Sequence, residues 1–180
     1  PLGLLQQSKA ERPASAAAAA ANPLGLAYLA LSVDDVDRVA ALIESEGGTA
    51  LGFTRSKALG VDTQFCTDPY GLRLLLLGPG DSAFGSLDCG PDGFAVAHIG
   101  VCVADLDRSV QFYEALGFAT GARVDCGVAF SSTAELDDVP LQIQPAQHGA
   151  YPLMLLQWGP ARNPGVPVRL PLNRTGDLIH

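Results

Sequence analysis

Phe94-Ala-Val-Ala-His98-Ile-Gly-Val-Cys102-Val-Ala-Asp105-Leu-Asp-Arg-Ser-Val-Gln-Phe-Tyr113-Glu-Ala-Leu-Gly-Phe118 reads as one strand and then one helix. From Ala95 to Val103 the residues Ala95, Ala97, Ile99, Val101 and Val103 fall on one face, and Val96, His98, Gly100 and Cys102 on the other, because side chains alternate along a strand. His98 thus points away from the all-apolar side. At Asp105 the period changes. Leu106, Val110 and Tyr113 recur at i, i+4 and i+7, Asp105 is placed to cap the helix start, and Gly117 to end it. The strand has become an amphipathic helix able to fold back onto it.

The pattern occurs twice. Leu26-Ala-Tyr28-Leu-Ala-Leu-Ser-Val33-Asp-Asp35-Val-Asp37-Arg38-Val39 aligns with the stretch from Val96 at a constant offset of 70, so that Val33, Asp35, Asp37 and Arg38 match Val103, Asp105, Asp107 and Arg108. This is an internal repeat, with Tyr28 standing where the second copy has His98.

The 180 residues, 48% of them apolar, suffice for one ordinary domain or two small modules sharing a core. A formal net charge of −8 argues against non-specific nucleic-acid binding, which needs a basic footprint, and weakly favours neutral or cationic ligands. Cys66, Cys89, Cys102 and Cys126 show no CxxC spacing, so free thiols in a reducing compartment are expected ahead of disulfides or a zinc site. No apolar run approaches the roughly 18 residues of a membrane helix. The N-terminus lacks the charged-then-apolar order of a signal peptide, and a cytoplasmic protein is expected.

Residues 1–22, with unbroken alanine from Ala16 to Ala21, read as a low-complexity arm or linker. A first module follows over 23–80. It holds a strand at Leu26–Val33, a helix with the stripe Val36, Val39, Ala40 and Ile43 stopped at Gly47-Gly48, and strands at Thr49–Thr54, Thr63–Thr67 and Leu72–Leu77. Asp68-Pro-Tyr-Gly71 supplies the turn before the last strand. Residues 81–93 are a turn-rich linker. The second module, 94–159, continues with strands expected at Phe118–Val124, Leu141–Gln144 and Pro152–Trp158, while Asp125–Asp138 stays ambiguous. The Pro-rich tail, 160–180, ends in Asp-Leu-Ile-His180, which is comparable to Gly25-Leu-Ala-Tyr28 and resembles the start of a further module. Truncation, permutation and pairing with another copy remain equal readings of that tail.

Two strand-helix-strand-strand-strand modules, with Ala97-His98-Ile99-Gly100-Val101, Val103-Ala-Asp-Leu-Asp107 and Phe112-Tyr113-Glu114-Ala-Leu-Gly-Phe118 opening the second, resemble the vicinal oxygen chelate superfamily of glyoxalases, extradiol dioxygenases and bleomycin-resistance proteins. The resemblance implies an α+β fold of paired βαβββ modules. Their mixed or antiparallel sheet forms a cup, with helices outside and a ligand or metal inside. It also implies metal ligands on the first and last strand of each module. Those positions hold Tyr28, Leu75, His98 and Met154, so His98 is the sole matching ligand. Zinc and iron sites use three or more protein ligands, and hard ions want oxygen donors, so no cofactor is expected and a divalent metal is the less favoured alternative.

Strand parity then suggests what lines the cup. If Leu141 and Ile143 pack toward the helix, Gln142 and Gln144 face the ligand, together with Met154, Leu156, Trp158, His98 and Cys102. The first module contributes Tyr28, Ser32, Gln64, Arg73, Leu75 and Leu77. Such a mixture suits a small organic molecule, and the leading expectation is a metal-independent binding protein akin to the drug-sequestering resistance members, assembled as a homodimer. The plainer reading is that Leu75, Leu77, Met154 and Leu156 fill a collapsed core, leaving an inert interaction or dimerisation module. A lyase, isomerase or dioxygenase with an atypical site around His98, then Tyr28, is the remaining alternative. The aspartates near Asp35 and Asp105 suit helix starts, and no nucleophile motif or phosphate loop is present.

Overall fold

The structure, a computed structural model, describes residues 24–55, 60–82, 85–87, 89–128, 130 and 138–159. The arm over 1–22 and the tail over 160–180, with His180, lie outside them. Among the described residues eleven strands and two helices follow in chain order: β1 (Gly25–Val33), α1 (Val36–Ser45), β2 (Thr49–Arg55), β3 (Asp62–Thr67), β4 (Arg73–Leu77), β5 (Gly80–Ser82), β6 (Gly85–Leu87), β7 (Phe94–Cys102), α2 (Leu106–Ala115), β8 (Ala119–Thr120), β9 (Val124–Gly127), β10 (Leu141–His148) and β11 (Tyr151–Trp158). Nine strands form one mixed sheet in the order β2-β3-β4-β1-β7-β11-β10-β8, with β9 also on β10. The fold is α+β, as its sequence pattern implies. The stretch between the halves, expected as a bare linker, carries the hairpin β5-β6.

Local chemistry explains the elements. Asp35 and Asp105 cap the two helices, each side chain accepting from the amide of the arginine three residues on, Arg38 and Arg108. Each helix ends on a glycine at positive φ, 89° at Gly47 and 88° at Gly117, a conformation glycine adopts without steric cost. Gly71, at φ 91°, closes the turn whose Asp68 carboxylate accepts from the amides of Tyr70 and Leu72.

The expected strand Phe118–Val124 is split into β8 and β9, and Pro145 explains the break. Proline offers no N–H to a neighbouring strand. Opposite it, Gly121 donates its amide to the Pro145 carbonyl and lies against the proline ring, where a Cβ would stand 2.6 Å from Cγ. The Gln144 side chain then donates through Nε2 to the Gly121 carbonyl at 3.1 Å, replacing the ladder bond that proline withholds. Part of the ambiguous stretch forms β9; residues 131–137 lie outside the described set.

In each half the first strand runs parallel to the last, β1 beside β4 and β7 beside β11. The halves meet along β1 and β7, which pair antiparallel with Leu29 opposite Ile99. Those two residues are themselves 70 apart, so a two-fold relation between the halves would pass between them. Helix α1 covers β2, β3 and β4 through Val36, Ala40, Cys66 and Leu76, and α2 covers β8, β10 and β11 through Leu106, Ala146 and Leu155. Leu76 and Leu155 are completely buried there, each worth about 1.5–3 kcal/mol of transfer free energy. The opposite face carries one continuous cluster drawing Phe65 from one flank and Cys126, Phe130 and Leu141 from the other. A sheet whose flanks share one cluster is curled, and that curl makes the cup.

A buried Tyr–His pair in an apolar cup

The floor of the cup is built where β1 meets β7. Ala30 lies opposite His98, and Tyr28 opposite Gly100, so Tyr28 and His98 share the inner face. The Tyr28 ring lies flat over Gly100, where a Cβ would come within 2.5 Å of Cζ. From there its hydroxyl reaches to 3.4 Å of His98 Nε2. Both rings are buried, and Tyr28 packs edge-on against Phe65 and against His98, with centroids 5.6 and 5.7 Å apart. Burial governs their protonation. Desolvation lowers the His98 pKa to about 4 and raises that of Tyr28 far above the usual phenol range, so both are neutral at neutral pH.

Beside this pair is a recess lined by Tyr28, Phe65, Leu75, Cys126, Phe130 and, from β10 and β11, Leu141, Ile143, Leu156 and Trp158. Its closed part offers about 20 Å³ to the centre of a water molecule. The closed part thus holds little more than one water. Cys102 lies at the Gly25 end of β7, beside Leu156 on β11, and hydrogen bonds with Trp158. Burial pushes its thiol up to about 12 and that of Cys126 up to about 11, so both remain protonated.

Of the residues expected in the cup, Tyr28, Leu75, Leu77, Cys102, Met154, Leu156 and Trp158 all belong to its cluster. His98 and Ser32 share that face by their register and alternation on β7 and β1. Arg73 shares the face of Leu75, because Thr67 lies opposite Arg73 and Phe65 opposite Leu75.

Three glutamines are placed otherwise. On β10, Leu141 lies opposite Trp158 and Ile143 opposite Leu156, so it is the leucine and isoleucine that face the cup, and Gln142 and Gln144 turn to the helix side. Gln144 is occupied there, accepting from Arg123 Nε at 3.3 Å as well as bonding Gly121. On β3, Gln64 lies opposite Leu76 of the α1 cluster and donates to the Leu51 carbonyl at 3.5 Å, while Thr63 and Phe65 face inward. The reason is common to both strands: helices cover one side and the cup the other, so both faces are buried and alternation alone does not say which is inner. Phe65, Cys126, Phe130, Leu141 and Ile143 are the lining residues that sequence reasoning did not name. The apolar partners of the misplaced glutamines would have revealed three of them.

Tyr28, Leu75, His98 and Met154, the four positions that the resemblance assigns to metal ligands, are buried on the cup face. Their chemistry does not fit a divalent ion: one neutral imidazole, one phenol held protonated, one thioether and one hydrocarbon, with no carboxylate. Among the described residues no three His, Cys, Asp or Glu side chains gather into a possible ion site.

A curled mixed sheet of two halves, helices outside and an aromatic-floored recess inside, defines a cup-shaped protein of the glyoxalase type. Residues 95–163 match the family model of the Glyoxalase/Bleomycin resistance protein/Dioxygenase superfamily. The match covers the second half of the chain and agrees there with the resemblance to the vicinal oxygen chelate superfamily. Among solved structures it shares its fold with methylmalonyl-CoA epimerase from Mycobacterium tuberculosis (TM-score 0.54, 14% identity, covering 83% of this chain and 95% of that one). It shares it also with glyoxalase I from Zea mays (TM-score 0.54, 23% identity, 77% of this chain and 44% of that one) and with the E144Q form of that enzyme (TM-score 0.57, 23% identity, 77% and 45%). The chain thus spans less than half the length of the maize protein. No curated protein sequence matches it.

Proposed function

We propose that the cup binds a small, mainly apolar organic molecule and does so without the superfamily's metal, in the manner of its drug-sequestering members. The observation that carries this reading is the recess itself. Aromatic and aliphatic side chains line it, the neutral Tyr28–His98 pair adjoins it, and the metal positions hold groups unsuited to an ion. Its closed part admits little more than one water, so occupancy requires the lining side chains to part. Assembly as a homodimer belongs to the same proposal, as does residence in a reducing cytoplasm, which the four free cysteines support. The net charge of −8 speaks against nucleic acid as a partner. No helix among the described residues is long and apolar enough to cross a membrane.

Trp158, the single tryptophan, lines the recess and reports on it. Small aromatic compounds are expected to change its fluorescence and to raise Tm with concentration. Protein offered zinc, manganese, nickel and iron(II) and then dialysed is expected to retain none. A broad screen with no binder, or one ion held per chain, overturns the reading.

The small closed volume favours a second reading, in which the cup is a filled core and the chain an interaction module. Failure of every compound to bind, together with a stable dimer in light scattering, would select it. Catalysis at His98 has the Tyr28 contact in its favour, yet a base with a pKa near 4 takes protons weakly at neutral pH. Unchanged turnover in His98→Ala would remove that alternative.

A further inference from the structure

The recess is lined unlike the chain as a whole. Asp, Glu, Lys and Arg make up 17% of the sequence, yet among the described residues none of them is buried and none lines the recess. An ion carried into it would lose its hydration and meet no opposite charge, a loss that apolar walls do not offset. The recess therefore selects against both signs.

Its lining is not wholly apolar. Tyr28 brings the one hydroxyl among the described lining side chains; the Cys126 thiol is a weak partner and the Trp158 N–H only donates. Tyr28 stands on the floor where β1 meets β7, packed against Phe65 and His98 and over Gly100. A phenol offers one proton and two lone pairs, and the contact with His98 Nε2 takes up one of the three. If the phenol donates there, two lone pairs remain; if the imidazole donates, a proton and a lone pair remain. A guest hydroxyl, which both donates and accepts, is matched in either case. At 3.4 Å the contact with His98 is longer than the usual hydrogen-bond range, so little is lost when a guest draws the phenol toward itself.

We infer that the cup takes a neutral apolar alcohol, its hydrocarbon or aromatic body against Phe65, Leu75 and Trp158 and its hydroxyl on Tyr28. The inference rests on the proposed binding function, and it narrows the preference for neutral or cationic ligands that the net charge suggests to neutral ones. Its test uses four probes with one ring each, benzyl alcohol, toluene, benzylamine and benzoate, titrated calorimetrically into the full chain at neutral pH and constant ionic strength. Benzyl alcohol is expected to bind at least tenfold more tightly than the amine or the acid. In Tyr28→Phe, which keeps the ring, benzyl alcohol is expected to weaken about tenfold, the loss of one buried hydrogen bond, while toluene stays within about twofold. Benzylamine or benzoate binding as tightly as benzyl alcohol refutes the selection against charge. Equal weakening of benzyl alcohol and toluene in Tyr28→Phe, or no weakening of either, refutes the hydroxyl contact. Both of these results leave the cup as a binding site, whereas binding by none of the four refutes the binding function as well. Should Tyr28→Phe fail to fold, the ranking on the unmodified chain decides alone.

Discussion

Replacing Gly100 by alanine tests the packing at the floor of the cup, because two effects oppose each other and the structure says which wins. Gly100 does not have a positive φ, so alanine is conformationally acceptable. Removing glycine's freedom from the unfolded chain would ordinarily stabilise by about 0.4–1 kcal/mol. Here the added Cβ would lie 2.5, 2.6 and 2.7 Å from three atoms of the Tyr28 ring. Carbon atoms rest about 3.5–4.0 Å apart, so the ring must retreat by about 1 Å. Phe65 and His98 pack against it edge-on and resist that retreat. Overpacking of this kind costs about 1–3 kcal/mol. At roughly 2–4 °C per kcal/mol for a chain of this size, the expected fall in Tm is about 2–12 °C. Calorimetry of Gly100→Ala, Tyr28→Leu and the double variant measures it. The double variant should be more stable than the sum of the single losses implies, since the leucine no longer occupies the space over residue 100. An unchanged or raised Tm in Gly100→Ala would show that the Tyr28 ring does not lie over β7, and the 3.4 Å contact with His98 would fall with it.

Acidification should expose the buried His98. Its pKa is lower in the folded chain, about 4, than the ordinary 6.5, so the unfolded chain takes the proton first. Stability is then full above pH 6.5 and lost as pH falls to 4, by up to about 3 kcal/mol, and His98→Phe should flatten that window in urea titrations. Gln157 Oε1 accepts from the buried amide of Leu106 at 2.7 Å, so Gln157→Leu should cost about 1–3 kcal/mol by orphaning the first amide of α2, whereas an unaffected midpoint would deny that capping. Gln144→Leu should likewise destabilise, by about 1–2 kcal/mol, and leave binding of aromatic probes intact; loss of binding without loss of stability would return Gln144 to the cup. Of the four thiols, the partly exposed Cys89 should react quickly with a disulfide reagent and Cys66, Cys102 and Cys126 slowly, and a fast second thiol would contradict their burial.

The fold was readable because residues 94–118 carry two incompatible periods joined at a capping aspartate, and because the same join recurs at Asp35. Local physics decides such a feature, and the structure puts Asp35 and Asp105 in the same capping role. The cup wall was less readable, for a reason visible in Leu141-Gln142-Ile143-Gln144. Its alternation is correct, but which set faces inward depends on the partner strand, and only the pairing of Ile143 with Leu156 settles it. Placing Leu141 and Ile143 toward the helix makes the ligand wall the more polar face. The inner face of β10 is in fact the more apolar, and its glutamines serve the backbone around Gly121 and Pro145. Cys126 and Phe130 lie in a stretch with no clear period, so no alternation marks them as lining residues.

The ladder between β1 and β7 joins residues about 70 positions apart in the chain, whereas the pairs β1–β4 and β7–β11 each close within one half. Each half can complete its own parallel ladder before the other arrives, but neither can enclose anything by itself. Parting them bares two long edges, each shaped to receive the other, and a second chain presents the same pair of edges in the same register. Exchange of halves between two molecules would rebuild every bond of the ladder and yield two whole cups. The chain between Leu77 and Phe94, through which the hairpin β5-β6 runs, would then govern whether a cup closes within one molecule or across two.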